Sequence, residues 1–167
     1  PATFAGTAFH SARWDHSVPL ADKRVGVIGT GSTAIQITTA IAAKVKRFDL
    51  FQRTAQWVMP IENVVFSDEE KAAFRDDPAK LATFKAEALD YFQHFSNAVI
   101  DANSKEMAEL EAACLANLED HVKDPVLREK LRPNYRAGCK RLIFSPDFYQ
   151  AVQSPNAHVI TDAIDHI

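Results

Sequence analysis

Residues 25–34 constrain the chain more than any other stretch. Val25-Gly26-Val27-Ile28 is a short apolar run between Lys23-Arg24 and Gly29, the pattern of a strand buried on both faces of a parallel sheet. Gly29-Thr30-Gly31-Ser32-Thr33-Ala34 follows as G-x-G-x-x-A and opens a stretch rich in Ile and Ala. That stretch reads as a helix from about Ser32 to Lys46, and Phe48 to Gln52 reads as a second strand. A glycine pattern alone says little; between a strand and a helix it has a mechanism. Gly29 allows the tight turn, Gly31 lets a pyrophosphate approach the backbone, and Ala34 lets the helix lie close on the strand. Phosphates would then meet free N–H groups at the positive end of the helix. Thr30, Ser32 and Thr33 are candidate hydroxyl donors, and Ile35 and Gln36 complete the expected cofactor-binding set. The bland alternative is a turn that merely connects strand to helix.

The end of the second strand selects the cofactor. An acidic residue there suits the ribose 2′-hydroxyl of NAD, and an arginine suits the 2′-phosphate of NADP. Asp49 lies inside the predicted strand, whereas its end reads Phe51-Gln52-Arg53-Thr54. Arg53 offers a planar, permanently charged fork for a phosphate, and Thr54 a hydroxyl. The expectation is NADP(H) rather than NAD.

Around this unit the chain divides into zones. Residues 1–22 form an irregular lead-in. In residues 67–132, Ser67 and Glu70 form a capping box. Leu81, Phe84, Ala88, Leu89, Phe92, Phe95 and Val99 then recur at helical spacing, and Met107, Leu110, Cys114 and Leu118 continue after a break near Asn103-Ser104. Pro125 opens a further helix that Pro133 stops. The apolar stripes are expected to be core, packed on the βαβ unit. His158 to Thr161 reads as a final strand. Length and a 47% apolar, 25% charged composition fit one globular domain with a sizeable core. The net charge of −3 argues against nucleic-acid or acidic-membrane partners, and no apolar run approaches the ~20 residues that span a bilayer. Cys114 and Cys139 have no redox or metal spacing, which fits reduced thiols in a cytoplasmic protein. His16, His94, His121, His158 and His166 show no metal-ligand spacing, so no metal is expected.

Phe4-Ala5-Gly6-Thr7-Ala8-Phe9-His10-Ser11-Ala12-Arg13-Trp14-Asp15 reads F-x-G-x-x-x-H-x-x-x-W-D. It resembles the fingerprint of type I Baeyer–Villiger monooxygenases, within the flavin-containing monooxygenases. Phe51 to Pro60 resembles that family's second-strand segment, and Gly138-Cys139-Lys140-Arg141-Leu142 with Asp147-Phe148-Tyr149 its Lys-Arg segment. Leu142 departs from the proline that many members carry. The resemblance implies an α/β fold: a Rossmann-like three-layer NADP-binding domain at 23–66 and 133–167, a helical insertion at 67–132, and an interdomain linker at 1–22. It implies a reaction in which NADPH reduces FAD and one atom of O2 enters a ketone, giving an ester or lactone. By motif position Arg141 matches the catalytic arginine, and Lys140 matches the lysine that joins Arg53 on the 2′-phosphate. Phe4, Gly6, His10, Trp14 and Asp15 would serve the domain junction, with His10 coupling domain movement to catalysis. No FAD-binding glycine motif precedes Gly26, so this stretch by itself is expected to bind NADP(H) but not FAD. Two other readings stay open: an N- or S-oxidising flavin monooxygenase, and a stand-alone NADP-binding module.

Overall fold

In the computed structural model, residues 4–62 and 64–165 are described; His166, among the histidines noted above, lies outside them. Strand β1 (Arg24–Ile28) runs parallel to β2 (Arg47–Phe51), with Val25 opposite Phe48 and Ile28 opposite Phe51. The connection is α1 (Ser32–Ile41), as parallel pairing requires a crossover. The helix is shorter than the expected span to Lys46. At Ile41 the backbone leaves helical geometry, a 3-10 turn covers Ala42–Lys44, and Val45 is extended and buried. The chain must straighten there to enter β2. The Asn156 amide completes this bend by donating to the carbonyls of Ala42 and Val45 at 2.8 and 2.7 Å.

Two short strands were not anticipated. β3 (Val58–Met59) and β4 (Ile143–Phe144) form a separate parallel pair, Val58 opposite Ile143. Two-residue strands leave no periodic trace in a sequence. Between them come α2 (Asp68–Asp76), α3 (Pro78–Ile100), α4 (Lys105–His121) and α5 (Pro125–Leu131). Both halves of the Ser67–Glu70 capping box form. Asp77 and Asp124 cap the two helices that begin with proline, where the missing N–H costs nothing. After β4, α6 (Phe148–Ala151) leads to β5 (Ala157–Ile160), which pairs in parallel with the other side of β2, Phe48 opposite Ala157. The sheet order is β1-β2-β5. The architecture is therefore mixed α/β with parallel strands.

The main core gathers Ile35 from α1, Phe48 and Leu50 from β2, Val58 from β3, Leu118 from α4, Leu131 from α5 and Phe148 from α6. A second cluster joins Trp57, Ala98, Met107, Leu110, Cys114, Ala137 and Leu142. Thus α4 behaves as its spacing predicts. The α3 stripe does not. Of that helix only Ala98 is buried, while Leu89 is 70% exposed and Phe92 59% exposed. Phe84 joins an aromatic trio with Phe66 and Phe74 and stays 42% exposed. Spacing identifies an apolar face but not what lies against it, and α3 lies against α2 and α4 rather than on the sheet.

Candidate functional site

The turn between β1 and α1 has the geometry its glycines imply. Gly29 has φ +107°, a conformation side chains rarely adopt, and its N–H donates to Phe51 O at 3.0 Å, which fastens the turn to the end of β2. Gly31 is the N-cap of α1 with no side-chain cap. A Cβ at Gly31 would meet no atom within 4 Å, so the space in front of the helix terminus is open. Ala34 is buried against the fold. The N–H of Ile35 goes to Gly31 O at 3.0 Å, leaving the earlier amides of the first turn facing outward without a capping side chain. Open backbone amides at a helix N-terminus favour an anion.

One expected hydroxyl donor is engaged within the fold. Thr30 is buried and its hydroxyl donates to Thr54 O at 2.8 Å; it ties the turn to the end of β2 and is not free for a phosphate. Ile35 points into the core at 1% exposure, and its N–H is the one already taken. Ser32 and Thr33 keep the hydroxyl role open, and Gln36 is exposed on the helix.

At the end of β2, Gln52 is buried, donating to Lys130 O at 2.6 Å while its own N–H donates to Ile160 O. It holds the strand end so that Arg53 emerges exposed, with no ion pair among the described residues. Asp49 sits mid-strand and is engaged: both its oxygens accept from Arg47 Nε at 2.9 Å, and His158 Nδ1 lies 3.8 Å away. The only acid of β2 is therefore turned to an arginine of its own strand, and Arg53 lies exposed just past the strand end.

Lys140 and Arg141 are exposed in the segment that enters β4. The pairing of β4 on β3, with Ile143 N–H donating to Trp57 O, draws this segment alongside residues 56–57. Its approach is fixed by α4. Glu111 accepts from Arg136 Nε and from the Ala137 N–H, each at 2.9 Å. Arg136 also donates to Ala102 O. Gly138 then turns the chain with φ +82°, packed by Val99 and Met107. Sequence reading missed Gln52, Gln56, Glu111 and Tyr135; each acts through a partner more than 20 residues away, which no local pattern signals.

The lead-in is built from short-range contacts. His10 Nδ1 accepts from Ala12 N–H at 3.1 Å, capping the turn Ser11–Arg13. Phe9 and Trp14 meet edge to face at 5.2 Å. Asp15 accepts from both the hydroxyl and the N–H of Ser17, which holds its carboxyl below the usual range. Phe4 is exposed, with its ring over Gly6, so a side chain at Gly6 would collide with it. These hydrogen bonds and ring contacts stay within the segment and do not reach the glycine turn.

The two thiols differ. Burial, with Glu111 adding to it, pushes Cys114 up to about 12, whereas Cys139 is exposed beside Lys140. Thiolate is the reactive form. A maleimide at pH 7.5 should therefore label Cys139 within minutes and leave Cys114 unmodified until the protein unfolds; mass spectrometry of the digested adduct reads the site. Among the described residues no cluster of His, Cys, Asp or Glu could hold a metal, and no helix is long and apolar enough to cross a membrane.

The flavin-binding monooxygenase-like family matches residues 2–68. A Baeyer–Villiger monooxygenase of Streptomyces coelicolor is 40% identical over 99% of this chain and 32% of its own length. One from Pseudomonas aeruginosa is 35% identical over 96% of this chain and 30% of its own. The crystal structure of OTEMO in complex with FAD and NADP superposes with a TM-score of 0.76 at 26% identity, over 95% of this chain and 37% of that one. The chain spans about a third of the length of the relatives it matches.

Proposed function

We propose that this chain is the NADPH-binding segment of an FAD-dependent Baeyer–Villiger monooxygenase, an enzyme that inserts one oxygen atom of O2 into a ketone to give an ester or lactone. The observation that carries the reading is the pairing of a helix N-terminus without a side-chain cap, open in front of Gly31, with an exposed Arg53 that has no ion pair among the described residues, at the adjoining strand end. That pair fits a pyrophosphate and a 2′-phosphate in one ligand. The relatives supply the reaction class: proteins with that name match nearly all of this chain.

The residues divide the work as follows. Gly29 and Gly31 shape the cradle, and the first amides of α1 with Ser32 and Thr33 meet the pyrophosphate. Arg53 takes the 2′-phosphate with its two-pronged donor face, with Lys140 adding a second cation and Thr54 a hydroxyl. Arg141 supplies a fixed positive charge to the oxygen being transferred, a task suited to a guanidinium because it cannot lose its proton. NADPH supplies the hydride, and FAD, held by the FAD domain of the same polypeptide, activates O2. In this reading β1, α1, β2 and β5 are part of a Rossmann-like three-layer NADP domain (23–66 and 133–167), α2–α5 are its helical insertion (67–132), and residues 1–22 are the linker to the FAD domain. Phe4, Gly6, His10, Trp14 and Asp15 then act at the junction, His10 by holding the turn Ser11–Arg13 in shape. The enzyme works in the cytoplasm on a diffusible ketone.

Product analysis tests the reaction. The full-length enzyme, given NADPH, 18O2 and a panel of cyclic and linear ketones, should yield esters or lactones carrying one labelled oxygen. Labelled N-oxides or sulfoxides from amine or sulfide substrates, with no ester from any ketone, would move the protein to the N/S-oxidising branch. Tight NADP binding with no oxygenated product from any substrate would leave a nucleotide-binding module.

A further inference from the structure

A continuous path of side chains joins the glycine turn to Lys140. Gln56 Nε2 donates to Thr30 Oγ1 at 3.2 Å, and Thr30 Oγ1 in turn donates to Thr54 O. The phenol of Tyr135 donates to Gln56 Oε1 at 2.9 Å. Lys140 Nζ stands 4.6 Å from the centre of the Tyr135 ring, within the range at which a cation is held by a ring face.

The Tyr135 ring is a fixed platform. Trp57 Nε1 donates to its backbone oxygen at 2.7 Å, its hydroxyl is fixed by Gln56, and the residues after it are pinned to Glu111. Burial raises its phenol above the ordinary range, so it remains a donor across neutral and mildly alkaline pH. Lys140 itself is exposed and makes no ion pair among the described residues. A lysine in that position would otherwise sample many rotamers, and fixing it before the ligand arrives removes part of the ordering cost of binding.

We infer that Tyr135 is a positioning residue for nucleotide selection: its ring face, held by Gln56 and Trp57, aims the Lys140 ammonium at the 2′-phosphate of NADP. This rests on the reading above that Lys140 meets that phosphate. Tyr135 acts through Lys140, so its effect belongs to the choice between NADP and NAD.

The test is calorimetric titration of the full-length flavoprotein with NADP and with NAD, for the wild type and for Tyr135→Leu, Tyr135→Phe, Lys140→Ala and Tyr135→Leu/Lys140→Ala. Tyr135→Leu should weaken NADP about 3- to 5-fold and leave NAD unchanged. Tyr135→Phe keeps the ring and should retain most of the preference. The double variant should bind NADP no more weakly than Lys140→Ala, because Tyr135 has no role once the cation is gone. Tyr135→Met provides a second non-aromatic side chain of similar bulk if the leucine variant does not fold. A normal NADP/NAD ratio in the leucine or methionine variant, beside a lowered ratio in Lys140→Ala, would overturn the positioning role alone. Losses that add in the double variant would overturn it too. A Lys140→Ala protein that binds NADP as the wild type does would remove the phosphate role of Lys140, and the inference with it.

Discussion

Replacing Arg141 with alanine in the full-length enzyme should lower ketone oxygenation by about 10²- to 10³-fold, the usual effect of deleting one preorganised group that stabilises developing negative charge. Flavin should stay bound, because the side chain is exposed and carries no hydrogen bond or ion pair among the described residues. Fold stability should change by no more than about 0.5 kcal/mol, as for surface positions free of structural partners. Arg141→Lys should recover only part of the rate: a lysine restores the charge but not the directed fork of donors. The measurements are ester formation by gas chromatography, flavin content by absorbance, and the melting temperature. An alanine variant that oxygenates at the wild-type rate would exclude Arg141 from the chemistry. One that melts early or loses flavin would assign it a structural role instead.

The second large effect is expected at Arg53. Arg53→Ala should weaken NADP about 10- to 100-fold, the equivalent of roughly 1.5–3 kcal/mol for a hydrogen bond to a charged group. NAD binding should be nearly unchanged, since NAD has no 2′-phosphate to lose. Raising the salt concentration should narrow the wild-type gap between the two nucleotides, because an exposed charge contact is screened. The alanine variant should already lie near that narrowed limit. Equal loss of both nucleotides would mean that Arg53 shapes the turn and does not read the phosphate. No loss of either would move phosphate recognition elsewhere in the fold.

Much of this was legible in the sequence because it is local. The glycine turn, the end of the second strand before Arg53, the capping box at Ser67 and the helix start at Pro125 each depend on neighbours within a few positions. What escaped depends on partners far along the chain. The short pairing of β3 with β4 joins residues about 85 apart, and the path Thr30–Gln56–Tyr135–Lys140 crosses three separate segments. The Thr30 hydroxyl has the right chemistry for a site, yet its direction is set by packing, which sends it to Thr54. The α3 stripe went astray in the opposite sense: its period is that of a core helix, but period does not reveal whether a neighbour exists to cover it.

The register of β5 on β2 also dictates an order of events. Phe48 finds its partner Ala157 only after more than a hundred residues have been made, and closing so long a loop must precede any reward from the contact. The helices of residues 68–131 close over short distances and can form while the third strand is still on the ribosome. During that interval one side of β2, with Phe48 and Leu50 at its centre, stands open. Nascent chains stalled before residue 157 should therefore be the ones that chaperones hold.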